Sequence, residues 1–126
     1  MNPFVSGTSI LLFWSLFVTA HLYFLQQFSY WHLVWLDTLM HILGGVLLLT
    51  SWYYLKNNKI FPKLLSLSKF KPLIFFVLII VGWEIFKYLI VQSVQANYIY
   101  DTVIDLAAGL FGGLATFFLY HRYGRK

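Results

Sequence analysis

Six ionisable residues in this 126-residue chain have the spacing that ligands or acid–base partners need: Asp37 and His41, Glu84 and Lys87, Asp101 and Asp105. Residues three or four apart on a helix stand on one face, so each pair presents two polar groups in one direction. Carboxylate oxygens with a minority of imidazole nitrogen suit a divalent ion such as Mg, Mn, Fe or Zn, and the lack of Cys removes thiolate sites. Asp37, His41, Glu84, Asp101 and Asp105 are therefore the candidate metal ligands. Glu84 and Lys87 are also the candidate catalytic groups. A metal held this way polarises an ester, amide or phosphoryl oxygen and activates water, with a non-ligating carboxylate as base. No motif for an organic cofactor or a covalent nucleophile accompanies them.

The elements that carry these residues are set by composition. The chain is 60% hydrophobic and only 10% charged, where a soluble domain has roughly a quarter of its residues charged. This excludes a water-soluble domain. At about 20 apolar residues per span, the length suffices for about four helices in one domain covering residues 1–126. Hydropathy places them at about Val5–Phe28, Tyr30–Leu55, Pro72–Val91 and Tyr98–Tyr120. The predicted fold is an all-α four-transmembrane-helix bundle. Four strands could not close into a barrel, and their open edges would stay unsatisfied in hydrocarbon. Pro72 fits the first turn of the third helix. The first apolar run has no preceding Lys or Arg and no cleavage site, so it reads as a helix and not as a removed leader.

Orientation follows from the nine Lys and Arg residues. All but Lys87 fall between the second and third spans (Lys56, Lys59, Lys63, Lys69, Lys71) or after the fourth (Arg122, Arg125, Lys126). The positive-inside rule makes that side cytoplasmic, with both termini inside, in a bacterial cytoplasmic (inner) membrane. The net charge of +5 is accounted for by topology and by anionic headgroups, and no nucleic-acid partner is implied.

Against this frame the acids stand out. Asp37, Glu84, Asp101 and Asp105 are the only four in the chain, and all lie within spans, where an ionised group costs roughly 2.5–3.5 kcal/mol. Counted from the outer helix ends, Asp37, Glu84 and Asp105 lie roughly 10 Å deep, Asp101 about 5 Å and His41 about 16 Å. His21 reaches the same level from the first span. The faces of Asp37/His41 and Asp101/Asp105 continue into Gly44 and Gly45 and into Gly109, Gly112 and Gly113, small residues that let helices approach closely, so the polar pairs should face the packed centre. Residues 37–45 also align with 101–109 at an offset of 64, with Asp, Thr and the final Gly coinciding, which suggests two parallel helical-hairpin repeats. Four ionised carboxylates against one span lysine leave three uncompensated negative charges, so protons or bound cations must balance the site.

Simpler readings stand beside these. The acids can act as a hydrogen-bonded polar core worth roughly 0.6–2 kcal/mol per contact, Glu84 and Lys87 as a plain ion pair, and His21 as an interior histidine. His32 and His121 lie near the interfaces and carry no role. Trp31, Trp35, Tyr98 and Tyr100 outside, and Trp52, Tyr53, Tyr54, Tyr120 and Tyr123 inside, read as aromatic belts.

Asp37-x-x-x-His41-x-x-Gly44, Trp83-Glu84-x-x-Lys87 and Asp101-Thr102-x-x-Asp105 followed by Gly109 and Gly113 together resemble the VanZ-like family and neighbouring uncharacterised small bacterial polytopic membrane proteins. The resemblance covers about residues 30–113. Thr38 stands where that pattern usually has Lys, Lys87 where it has Gln, and Asp105 where the VanZ-like branch has Asn; the added carboxylate favours cation binding. The resemblance implies a polytopic inner-membrane protein of the cell envelope and brings no reaction with it.

Three functions follow as expectations. The first is a metal-dependent membrane hydrolase or transferase acting on a lipid-linked or cell-envelope substrate. The second is cation or proton translocation. The third is a non-catalytic VanZ-like binding or resistance module. Membrane lipids, a lipid-like substrate and a homo-oligomer are the partners these readings allow.

Overall fold

The computed structural model describes residues 6–27, 33–60, 71–91 and 98–123. These form four helices: α1 (Gly7–Gln26), α2 (Val34–Asn57), α3 (Lys71–Val91) and α4 (Tyr98–Tyr123). All four are long and apolar enough to cross a membrane, and together they make a four-helix membrane bundle. Lys63, Lys69, Arg125, Lys126, His32 and Trp31, used above for topology and the interfaces, lie outside the described residues.

Local chemistry explains the helix ends. The Ser6 hydroxyl accepts the Ser9 backbone N–H at 3.1 Å, which caps the first turn of α1. Pro72 is the second residue of α3, where a missing N–H costs nothing. At the end of α2 the Ile60 N–H reaches the Leu55 carbonyl and the Lys59 N–H reaches Lys56. This is a Schellman closure with Lys59 at φ 54° in the left-handed region usually given to glycine. It carries α2 two residues beyond the hydropathy boundary at Leu55. α4 likewise continues past Tyr120 to Tyr123, with Arg122 in its last turn, where a cation meets the negative end of the helix dipole.

The central contact joins α2 and α4 at their glycines. A Cβ on Gly45 would strike the Gly109 carbonyl, and one on Gly112 would strike the Ile42 carbonyl. Both helices run in the same direction, and Gly45 and Gly109 are equivalent positions of the 64-residue offset. α3 packs on both, with Phe76 lying over Gly113 and Ile80 over Gly109. Toward the Lys-rich end a core of Leu49, Tyr53, Phe76 and Phe117 closes the bundle. Tyr53 belongs to this core, stacked on Tyr120 at 3.7 Å between centroids, and not to an interfacial belt. α1 differs from the others. Among the described residues its backbone comes close only to that of α2, held by the Trp14 indole N–H to Ser51 Oγ at 2.8 Å, while Leu11, Leu12, Phe13 and Leu16 face outward.

Candidate functional site

The glycine crossing sets the site, because helices this close bring together the side chains one turn above it. His41 and Asp105, again equivalent positions of the offset, meet with Nε2 3.2 Å from Oδ2. Asp37, one turn along α2, places Oδ1 3.6 Å from the same Nε2. Asp37, His41 and Asp105 each offer one ligand atom, and these atoms lie within 4.8 Å of one another. Ligands about 2.1 Å from one ion in a tetrahedral shell are about 3.4 Å apart, close to the 3.2 and 3.6 Å that separate His41 Nε2 from the two carboxylates.

The other expected residues fall differently. The Lys87 ammonium turns into the bundle, 2.8 Å from Asp105 Oδ2 and 3.1 Å from Glu84 Oε2, so the ion pair that its spacing from Glu84 allows is formed and extended to Asp105. The cause is that Asp105 is 2% exposed and needs compensating charge, and α3 is packed closely enough on α4 to deliver it. Glu84, buried itself, is held by that lysine and stands outside the group of three. Asp101 is also outside it, one turn before Asp105 and part-exposed. The result is a chain of groups over three helices in the order Asp37, His41, Asp105, Lys87, Glu84.

The chain borders a cavity of about 390 Å³ to which all four helices contribute. His21, His41, Glu84 and Asp105 lie at one end, and Trp14, Leu48, Ile79 and Gly109 at the other. His21 is set among rings, 6.3 Å from both Phe17 and Trp83. Of the α1 wall, His21 was singled out by its depth, while Trp14, Phe17, Val18 and Leu22 were not. Their signal was present in the helical spacing of one face, masked by apolar residues on every other face of α1.

A family model described as "Predicted membrane protein (DUF2238)" matches residues 3–126. The chain belongs to that family. No curated protein and no solved structure matches it. Membership establishes a membrane protein and leaves the VanZ-like branch unsupported by this match. It assigns no chemistry to the Asp37, His41 and Asp105 group, so the reading of this family member rests on the geometry above.

Proposed function

We propose that Asp37, His41 and Asp105 hold a divalent metal ion, and that the protein is a metal-dependent hydrolase or transferase acting on a lipid-linked cell-envelope substrate. The observation that carries this reading is the convergence of three ligand atoms from two helices, within 4.8 Å of one another, where His41 and Asp105 border the cavity. Surface acids often cluster without meaning. Here the carboxylates stand at membrane depth, where each is costly and nothing about solubility requires it. An ion in this position would polarise a substrate oxygen and lower the pKa of bound water. Glu84, outside the group and bordering the cavity, would act as base, and Lys87, ion-paired with both Asp105 and Glu84, would compensate their charge. Asp101, one turn outward, remains a reserve ligand for a second ion. The VanZ-like resemblance and the positive-inside pattern agree with a bacterial inner-membrane location and an outer-half site.

The test is elemental analysis of gently purified protein with Asp37→Asn and His41→Ala at equal folded yield. Stoichiometric metal in the wild type, lost in both variants, is the expected outcome. Folded wild type that neither carries metal nor binds added Mg, Mn, Fe or Zn would overturn the reading.

One observation favours a second function. The unbroken order of acid and base groups from Asp37 to Glu84 resembles a proton relay. The core of Leu49, Tyr53, Phe76 and Phe117 lies across its continuation toward the Lys-rich end, which favours the enzyme over translocation. Cation flux in liposomes containing the purified protein alone would reverse that preference.

A further inference from the structure

The cavity has a direction that the metal reading does not use. On each of the four helices the lining residues nearer the Lys-rich end are apolar, and all of the ionisable lining groups, His21, His41, Glu84 and Asp105, gather at the opposite end. From Trp14 to Leu22 the α1 wall spans eight residue steps, about 12 Å at the helical rise. One leaflet of hydrocarbon is about 15 Å deep. The cavity also has a side entrance. Val18, Leu22 and Trp83 line it while being 47%, 58% and 43% exposed, so it is continuous with the lipid-facing surface along the seam between α1 and α3. That seam exists because α1 approaches only α2 with its backbone.

We propose that this cavity seats a single hydrocarbon chain of an outer-leaflet lipid, which enters laterally between α1 and α3 and places the lipid's first polar linkage beside His41 and Asp105. The proposal deepens the enzyme reading by naming the substrate class. It rests on that reading only for the chemistry, since the seat itself needs no metal. A hydrocarbon chain is the occupant because the walls are apolar and the seam opens at a depth where the surroundings are acyl chains. A volume of about 390 Å³ is at the lower end of small-ligand cavities, which suits one chain and leaves a second in the bilayer. An amphiphile held this way has its polar group toward the outer surface and its tail toward the midplane, the orientation it already has in that leaflet.

The experiment reconstitutes the protein in phosphatidylglycerol and phosphatidylethanolamine vesicles containing a trace of phospholipid with a diazirine at the end of one acyl chain. After illumination, the labelled peptides are mapped by mass spectrometry. Label is expected to concentrate on the walls at Trp14, Leu48 and Ile79. It should fall about tenfold in Gly44→Leu, which fills the cavity from α2, and in Val18→Trp, which fills it from α1. Two variants on different helices guard against misfolding of either one. Asp37→Asn separates the two readings: loss of metal with label retained keeps the seat and removes the ion. Label spread evenly over Leu12, Leu16 and Leu78, and unchanged by either filling substitution, would overturn the proposal.

Discussion

Two nitrogens converge on one oxygen of Asp105, the Lys87 ammonium at 2.8 Å and the His41 imidazole at 3.2 Å. An ion pair formed in low dielectric contributes little relative to an apolar pair of the same shape, but removing one partner strands the other, at about 3–5 kcal/mol. Asp105→Asn and Lys87→Gln should therefore each lower the unfolding free energy in detergent by an amount of that order. The double variant should cost less than the two single losses combined, with a coupling of about 0.5–3 kcal/mol. Simple additivity in that cycle would show that the pair is not a unit. The sequence made the Asp37/His41 half of the site legible, because four-residue spacing within one helix fixes a shared face. It could not reveal the Lys87 bridge, which depends on how far α3 is rotated against α4. The separation of Glu84 and Asp101 from the group of three has the same origin. Glu84 is taken by the lysine of its own helix, and the α2/α4 crossing puts Asp105 opposite His41 and leaves Asp101 one turn beyond.

At the scale of elements, α2 and α4 are held by backbone contact, which makes their glycines unequal to others in the chain. Gly45→Ala and Gly112→Ala each drive a Cβ into a carbonyl of the facing helix, and backbone cannot move aside as a side chain can. Overpacking of this kind costs typically 1–3 kcal/mol, so both should lower the thermal midpoint and loosen the His41/Asp105 contact. Gly82→Ala is the matching control. Nothing lies within 4 Å of a Cβ there, and gaining a helix-favouring residue should be neutral or stabilising by up to about 1 kcal/mol. Equal losses at all three positions would refute the close crossing. Lys59→Gly should raise the midpoint slightly, since a left-handed residue with a Cβ closes α2. Helix number and type were readable because four long apolar runs have no alternative in a membrane. The ends were less readable, since the Schellman closure at Lys59 and the extra turn to Tyr123 come from capping and not from hydropathy.

For the whole molecule, the chain contains no Cys, so single cysteines report topology without a background. Gln27→Cys follows the far end of α1 and Ile60→Cys the Lys-rich end of α2, at opposite ends of the bundle, both exposed. The positive-inside assignment expects an impermeant maleimide to label Gln27→Cys in intact cells and Ile60→Cys only after lysis. The reverse pattern would place the cavity's polar end in the cytoplasmic leaflet. The cavity itself was not readable at this scale, because it is the space left where α1 follows α2 and does not close on α3. The α2/α4 contact also has a consequence in time. Asp37 and His41 leave the ribosome 64 residues ahead of their equivalents Asp101 and Asp105, so α2 enters the bilayer with its polar face unanswered. Until α4 is made, that face must be sheltered by the insertion machinery or by another chain. Nascent protein truncated before α4 should stay bound there or be degraded, making completion of α4 the checkpoint for release.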